Sequence, residues 1–253
     1  CDSLTGVTIG GSLSEIGEEA FRDCISLVSV KIQGSAESIG DGAFINCGLL
    51  AEIKLSEGLT SIGKYAFYGC GSLMSINIPA SVRDIGSRAF ASCGSLASIT
   101  VAGENGSYKS MLGDLYDADG KILIQYATGK TNTSFSVPNG VTSIGEYAFL
   151  NSGLLTEVTI GGSVTNICDY AFCNSSALKS VHIGGSVTAV ADRAFDGCDS
   201  LESVTIDNGL TRIGEYAFDG CGSLANINVP ESVTSIGENA FRYCDKLLTE
   251  NGV

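Results

Sequence analysis

Apolar residues alternate with polar ones in a short stretch that recurs along the chain. In CDSLTGVTI, CGSLMSINI and CDSLESVTI the last apolar residues fall on every second position, which is the period of a strand with one buried face. A second short apolar pattern, V-T-S-I-G, follows it, as at Val141 and Ile144. Each stretch therefore predicts two short strands, with their apolar residues pointing into a common core.

The segment after the second strand, G-E-Y-A-F, has the features of a single helical turn. Glycine is an accepted N-cap residue, and a carboxylate follows it in most copies, as at Glu146 and Glu215. A carboxylate there would face the positive end of a short helix. Because Cys168 and Ala191 replace the glycine in two copies, we expect the position to require a small residue rather than a positive φ angle.

An Ala-Phe pair recurs every 23 residues, with one exception. The step from Phe90 to Phe149 is 59 residues, 36 more than the regular step. A fixed period of this length is typical of stacked coils. We therefore predict a single solenoid domain over residues 1–253, with about nine 23-residue coils and an inserted segment at about 102–137. The invariant alanine indicates close approach of neighbouring coils, and the phenylalanines are expected to stack in the core, at Phe21, Phe44, Phe67, Phe90, Phe149, Phe172, Phe195, Phe218 and Phe241.

Most of the ten cysteines share one repeat position. Stacked residues lie about 4.8 Å apart with parallel side chains, whereas a disulfide needs Cβ atoms that point at one another. We therefore expect a buried column of thiols packed as small apolar groups, with Ser152 and Ser175 replacing cysteine in two copies. Its members are Cys1, Cys24, Cys47, Cys70, Cys93, Cys198, Cys221 and Cys244.

Cys168 and Cys173 lie outside this column. The position of Cys173 is held by polar or aromatic residues in several other copies, namely Arg22, Tyr68, Asp196 and Arg242, so we expect Cys173 to be exposed. Two unpaired thiols and a disulfide across the intervening turn remain as alternatives.

The charge balance excludes some partners. Lys and Arg together number 14 against 28 Asp and Glu, for a net charge of −14, which disfavours nucleic acid and anionic membrane surfaces. No apolar run reaches the length of a membrane span, so we expect no direct membrane insertion. Because the chain opens at Cys1 in mid-repeat register, without a methionine, we expect it to be a piece of a longer protein.

The repeat, written most fully from Cys221 to Phe241, resembles the BspA-like leucine-rich repeats of bacterial cell surfaces. Residues Ile99 to Gly145 are similar to the insertion of that family. The resemblance implies a leucine-rich repeat solenoid: a curved right-handed superhelix with a parallel β-sheet on the concave face, and short second strands and single helical turns on the other side. It also implies an extracellular or cell-surface location and function through binding, with no catalytic residues and no cofactor.

Solenoids commonly bind partners across the concave sheet, so we predict binding residues there. One outward residue per coil forms a row: Thr8, Lys31, Lys54, Asn77, Thr100, Thr159, His182, Thr205 and Asn228. Glu52 and Glu157 lie in the flanking row. Since large aromatic and arginine anchors are missing from both rows, a solvated sheet face is the alternative. The candidate binding residues on the sheet are Lys31, Glu52, Lys54, Asn77, Glu157, His182 and Asn228.

The inserted segment supplies the other candidate binding residues, Tyr108, Tyr116 and Tyr126, because aromatic side chains on loops often form binding sites. The alternative is a bulged coil whose core these rings and Phe135 complete. Residues 117–120, Asp-Ala-Asp-Gly, predict a hairpin turn. A calcium loop is disfavoured there, because Leu115 and the closing position lack the required oxygen ligands.

The sequence favours a non-enzymatic protein-interaction or adhesion module of a secreted or cell-surface protein. His182, the only histidine, has no nearby residues with metal-ligand spacing or a catalytic partner in the sequence. We expect a monomer with a protein partner, such as a host matrix or host-cell protein. A passive spacer domain and a glycan-binding module are the alternative hypotheses.

Overall fold

A computed structural model describes the backbone of residues 1–250 and the side chains of residues 1–247. The chain divides into two compact units. The first consists of Cys1–Gly120 with Gln125–Lys130, and the second consists of Lys121–Ile124 with the residues from Thr131 onward. Each unit contains a front sheet of short parallel strands and a back ladder of two-residue strands. The front strand is the first apolar stretch of the repeat, and the back strand is the second.

The strands of the first unit alternate between front and back until the inserted segment. The front strands pair in the orders β1-β3-β5 and β7-β9, and the back strands pair in the order β2-β4-β6-β8. The ranges are β1 (Gly6–Ile9), β2 (Glu15–Ile16), β3 (Ser29–Ile32), β4 (Ser38–Ile39), β5 (Glu52–Lys54), β6 (Ser61–Ile62), β7 (Ser75–Ile78), β8 (Asp84–Ile85), β9 (Ser98–Val101), β10 (Tyr108–Met111) and β11 (Asp114–Asp117).

The second unit repeats the arrangement. Its front strands pair in the order β13-β15-β17-β19-β21, and its back strands follow from β12 through the even-numbered strands to β22. The ranges are β12 (Ile122–Gln125), β13 (Ser134–Ser136), β14 (Ser143–Ile144), β15 (Glu157–Ile160), β16 (Asn166–Ile167), β17 (Ser180–Ile183), β18 (Ala189–Val190), β19 (Ser203–Ile206), β20 (Arg212–Ile213), β21 (Asn226–Ile227), β22 (Ser235–Ile236) and the helix α1 (Asp245–Glu250).

Residues 23 positions apart are neighbours in both sheets, as the repeat predicts. Val7 is the Cα partner of Val30 in the first unit, and Val158 is the partner of Val181 in the second. The alternation of burial along β3, β7 and β17 places the Val or Ile side chains inward and the polar ones outward. The predicted solenoid of stacked parallel strands is confirmed.

The inserted segment is more than the bulge that the interrupted period suggested. Phe135 in β13 is the partner of Val158, and Leu123 in β12 is the partner of Ile144. These two strands supply a complete additional coil, and the antiparallel hairpin β10–β11 supplies the remaining residues. The described residues contain ten front strands, five in each unit, so the expected count of about nine coils is one short.

The helical turn predicted at G-E-Y-A-F is wrong. The residue before the alanine adopts a left-handed conformation, with φ of 56° at Tyr65 and 59° at Tyr147, which ends α-helical geometry after one residue. The turns form a ladder instead: the Phe67 N–H donates to the Ala89 carbonyl oxygen at 2.8 Å. The carboxylate after the glycine acts within that ladder, since Asp41 Oδ1 accepts from the Lys64 N–H at 2.7 Å.

The first position of the turn requires a small residue because the preceding coil lies close to it. A Cβ at Gly86 would lie 2.3 Å from the main-chain nitrogen of Lys64. Gly17, in the first coil, has no atom within 4 Å of the same point. Neither glycine has a positive φ, so the prediction that size rather than conformation selects this residue is confirmed.

The phenylalanines stack nearly parallel in each unit. Ring centroids lie 5.3 Å apart between Phe44 and Phe67 in the first unit, and 4.9 Å apart between Phe172 and Phe195 in the second. These four side chains are fully buried, and burial of such a ring contributes about 1.5–3 kcal/mol per coil. Phe135 packs edge-to-face on Phe149 at 5.4 Å.

Seven of the eight cysteines of the column are buried, and all ten cysteines are reduced thiols. Cys1 is exposed, so its expected burial is wrong. The buried members of the column do more than pack as apolar groups: the Cys93 thiol donates to the Phe67 carbonyl oxygen at 3.1 Å. Ser175 donates in the same way to the Phe149 carbonyl oxygen at 2.9 Å, which explains why serine replaces cysteine at that position. Cys173 is only 8% exposed, so its expected exposure is wrong, and no disulfide joins it to Cys168.

Candidate functional site

The front sheet presents one polar side chain per coil, in the predicted row. In the first unit Lys31 is the Cα partner of Lys54, and Asn77 is the partner of Thr100. All four are exposed, because the residues on either side of each point into the core. The Thr100 hydroxyl donates to Asn77 Oδ1 at 3.0 Å, so these two side chains are linked across the sheet.

Lys31 and Lys54 lie between two shallow depressions of the first unit. One depression is lined by residues on the amino side of the pair, among them Ser29, Glu52 and Ser75. The other is lined by residues on the carboxyl side, from Gln33 to Gly34 and from Leu55 to Gly58, together with the two lysines. In the described part of the chain neither lysine forms an ion pair with a carboxylate.

In the second unit two of the three remaining predicted residues, His182 and Asn228, contact other groups of the chain. Glu157 is exposed at the start of β15. His182 Nε2 lies 3.2 Å from Asp207 Oδ1, and about half of each of the two side chains is exposed. Asn228 is turned back on the neighbouring coil: its Nδ2 donates to the Ile206 carbonyl oxygen at 2.7 Å, and its Oδ1 accepts from the Ile206 N–H at 2.8 Å. Asn228 therefore extends the ladder past the end of β21.

One member of the row was missed. The inserted coil places Ser136 beside Thr159 in the front sheet, and Ser136 is exposed. The 23-residue spacing breaks at the insertion, so counting from either side does not find this position. The alternation in SFSV, where Phe135 takes the place of valine, was the available signal.

The tyrosines of the inserted segment do not form an exposed site. Tyr116 and Tyr126 are 0% and 2% exposed, so their assignment as binding residues is wrong. Burial raises the pKa of both phenols, that of Tyr126 to about 12. Tyr108 is half-buried, and its hydroxyl oxygen accepts a hydrogen bond from the Ile85 N–H at 2.9 Å. The alternative, in which the rings complete a core, describes these residues.

A buried ion pair holds the hairpin to the rest of the first unit. The Asp114 carboxylate, fully buried at the start of β11, accepts from the Ala127 N–H at 2.8 Å and from Lys130 Nζ at 2.6 Å. Lys130 also lies over the Tyr126 ring, 5.0 Å from its centroid. Burial raises the pKa of Asp114, while these two donors act in the opposite direction. No sequence pattern indicated this pair, whose members are 16 residues apart.

The turn predicted at residues 117–120 is confirmed, since the Gly120 N–H donates to the Asp117 carbonyl oxygen at 2.9 Å and Gly120 has φ of 69°. A second turn, at Leu112–Gly113, closes the hairpin β10–β11 and was not predicted. Across the described residues no group of three or more His, Cys, Asp or Glu side chains is placed to hold a metal ion.

The buried thiols are poor nucleophiles at neutral pH. Burial raises the pKa of Cys47 to about 11 and that of Cys93 to about 12. The thiolate is the reactive form of cysteine. These side chains therefore stabilise the coils rather than provide reactive groups.

A family model described as BspA type leucine-rich repeat region matches residues 1–111 and 125–248, in six copies. The chain belongs to the BspA-type leucine-rich repeat family. The matched ranges omit residues 112–124, which include the hairpin turn and β11 of this BspA-type chain. Among curated proteins none matches the sequence.

Solved structures include several proteins similar to this BspA-type chain. A leucine-rich cell-surface protein from Faecalibacterium prausnitzii A2-165 is 32% identical, with a TM-score of 0.72, and the match covers 96% of this chain and 77% of that one. The pneumococcal vaccine antigen PcpA, 21% identical with a TM-score of 0.74 over 96% and 66% of the two chains, shows the same fold. A leucine-rich repeat protein from Eubacterium ventriosum ATCC 27560 also shows this fold. It is 24% identical, with a TM-score of 0.68, and the match covers 94% of this chain and 82% of that one.

Among its described residues this BspA-type chain has no helix with the length and apolar character needed to cross a membrane.

Proposed function

We propose that the chain is a non-enzymatic interaction module of a secreted or cell-surface protein, and that its front sheet binds a protein partner. The observation that carries the proposal is the front row itself. Parallel strand pairs hold Lys31 beside Lys54 and Asn77 beside Thr100, all four exposed and at one repeat position. A row of this kind fixes the spacing of polar groups without the entropy cost of ordering loops.

The family and its relatives support the surface location. The Faecalibacterium protein, at 32% identity, is described as a cell-surface protein, and repeat solenoids commonly bind through an extended sheet. The titratable groups support a non-enzymatic role, since the column thiols are buried with raised pKa values. His182 contacts a single exposed carboxylate.

A binding experiment with a blocked front sheet tests the proposal. Thr100→Arg and Thr205→Arg place one bulky side chain on the front sheet of each unit, where both threonines are exposed. The matched control, Ser87→Arg with Asn208→Arg, adds the same two charges at exposed positions outside the front strands. The three proteins are compared on arrays of host extracellular-matrix and cell-surface proteins and on a glycan array.

We expect saturable binding to a protein, lost in the front-sheet variant and kept in the control. Binding that the front-sheet variant keeps would contradict the proposal. Saturable binding only on the glycan array would favour the glycan-binding alternative. The passive-spacer alternative predicts binding on neither array.

A further inference from the structure

A largely exposed apolar row runs along the start of the front strands in the first unit. We call Val28, Ala51, Met74 and Ala97 the apolar row, because each directly precedes a front strand at one repeat position. Main-chain bonds fix the register within two pairs of the row: the Ala51 N–H donates to the Val28 carbonyl oxygen and the Ala97 N–H to the Met74 carbonyl oxygen, both at 2.9 Å. Val28 is 45% exposed and Met74 is 58% exposed. At about 4.8 Å per coil the row is about 14 Å long.

The hairpin turn extends the apolar row by one side chain. The Gly113 carbonyl oxygen accepts from the Ile99 N–H at 2.8 Å, and the Cβ position of Gly113 lies 3.6 Å from the Ala97 oxygen. Leu112, the other residue of this turn, is 77% exposed and has φ of 55°. Leucine is strained in that conformation, which glycine or asparagine adopts easily. Burial within the chain does not compensate the strain, so folding alone does not account for leucine here.

A pair of cations lies beside the same row. Ala51 of the apolar row lines the same depression as Lys31 and Lys54. Lys31 and Lys54 are direct neighbours in the parallel pair, where like charges are destabilising. Some other cations of the chain are matched with carboxylates, as Arg22 is with Glu19. Glu52 lines the same depression as the two lysines, yet among the described residues neither lysine forms an ion pair with a carboxylate.

We propose that the apolar row, Leu112 and the Lys31–Lys54 pair together bind an acidic polypeptide segment of the partner. This inference rests on the proposed function and specifies the chemistry of the partner. Apolar side chains of the segment cover the row, and Asp or Glu carboxylates contact the two ammonium groups. A row about 19 Å long, with Leu112 included, fits about six residues of extended chain.

The chemistry of the surface favours polypeptide over saccharide or nucleic acid. Binding is favourable when apolar side chains of a partner cover the aliphatic row and remove it from water. Sugar hydroxyl groups do not supply such side chains. A phosphate backbone likewise offers no apolar side chains to cover the row, and the two adjacent ammonium groups attract the carboxylates of a polypeptide segment over a short range. Electrostatic complementarity of this kind selects partners more than it adds affinity.

Selection from a random dodecapeptide library displayed on phage, against the full chain, tests the inference. Lys31→Thr with Lys54→Thr removes the cation pair and introduces threonine, which several other coils carry at the same position of the front sheet. Lys64→Thr with Lys179→Thr is the matched control, since both lysines are exposed and neither lies in the row or the pair. We expect selected peptides to be enriched in both acidic and aliphatic residues. Synthetic copies should bind the cation-pair variant about tenfold more weakly and the control normally.

A second variant separates binding from folding. Leu112→Asn relieves the left-handed leucine, so its Tm should be unchanged or higher while the affinity for the selected peptides falls about threefold to tenfold. Selected peptides without an acidic excess, equal binding to all variants, or no retention above scrambled peptides would each overturn the inference. So would a dimer, seen by sedimentation, that the Lys31 and Leu112 substitutions dissociate, since the occupant would then be a second copy.

The array experiment tests the proposed function separately from the peptide selection. If the blocked front sheet abolishes protein binding on the array while the peptide results are negative, the partner contacts another part of the front sheet. Only the inference on the acidic segment then fails.

Discussion

The thiol of Cys70 donates a hydrogen bond to the main-chain carbonyl oxygen of Phe44, with an Sγ–O distance of 3.2 Å. Both residues are fully buried, and the bond joins one coil to the preceding one. The same bond recurs at Cys221 with Phe195, at 3.3 Å. A polar group in the core must be hydrogen-bonded to avoid a desolvation cost, and the cysteine column supplies donors of the right size.

Replacing Cys70 separates its volume from its donor. We expect Cys70→Ser to be tolerated within about 1 kcal/mol, because Ser175 makes the equivalent bond. Cys70→Ala removes the donor and leaves a small cavity, so it should lower the free energy of unfolding by about 1–3 kcal/mol. Urea denaturation measures both. Equal losses for the two variants would show that the hydrogen bond is irrelevant, and Cys1→Ser, at an exposed position, is the control.

The turn glycines allow a comparison at one repeat position. Gly86→Ala places a methyl group 2.3 Å from the Lys64 nitrogen, and relief of that clash requires the coils to shift, at a cost of about 1–3 kcal/mol. Gly17→Ala meets no atom within 4 Å and should not lower stability. Thermal denaturation of the two variants checks the difference, and a Gly17→Ala protein as unstable as Gly86→Ala would be contrary to the stacking described.

Stability should fall at alkaline pH because of the buried thiols. Burial raises the pKa of Cys47 to about 11 and of Cys93 to about 12, from 9.0. Below pH 9 both thiols are protonated in the folded and unfolded states, so their contribution is fully present. Above pH 9 the unfolded state loses protons first, and each thiol lowers the free energy of unfolding by about 1.4 kcal/mol per pH unit until its folded pKa is reached.

Denaturation curves at pH 7, 8.5 and 10 measure this dependence. Stability should be similar at the first two values and lower at the third. The variant with Cys47→Ser and Cys93→Ser should lose less stability between pH 8.5 and 10 than the original chain. The same loss in both proteins would assign the effect to other groups.

The buried ion pair of the hairpin gives a prediction about its stability. Asp114→Asn leaves Lys130, of which only 14% of the side chain is exposed, without its counter-charge. We expect a loss of about 3–5 kcal/mol, together with faster hydrogen exchange of the β10–β11 amides. Asp114→Asn with Lys130→Met removes both charges and should recover part of that loss. Failure of the second substitution to restore any stability would mean that the pair is not coupled.

The repeat determined much of the fold in advance. Equal spacing of Phe44, Phe67 and the strand residues between them requires equivalent environments in successive coils, so register, core and thiol column could all be predicted. The turn conformation could not be predicted, because the local sequence G-E-Y-A-F is also compatible with a helical turn. Main-chain bonds between coils, such as Phe67 to Ala89, select the left-handed residue instead.

The candidate site was less predictable than the fold because part of it lies in the inserted segment, where the 23-residue repeat is interrupted. Tyr116 and Tyr126 lie in a polar segment that is typical of a loop, yet the hairpin folds back and buries both rings. Leu112 was not selected, since its exposure and its φ angle follow from a two-residue turn that has glycine at only one position. Lys31 and Lys54 were identified correctly as exposed neighbours, because they lie in unbroken coils.

The most direct test of this account is whether residues 23 apart are in contact. Nuclear Overhauser measurements on protein with ¹³C-labelled phenylalanine rings report proton pairs that lie close together, and stacked rings with centroids about 4.5–7 Å apart bring such pairs into contact. Phe44 should show contacts to Phe21 and Phe67, whose ring centroids lie 5.2 Å and 5.3 Å away, and Phe21 should show none to Phe67. A contact pattern that does not follow the 23-residue step would contradict the stacking on which the front row depends.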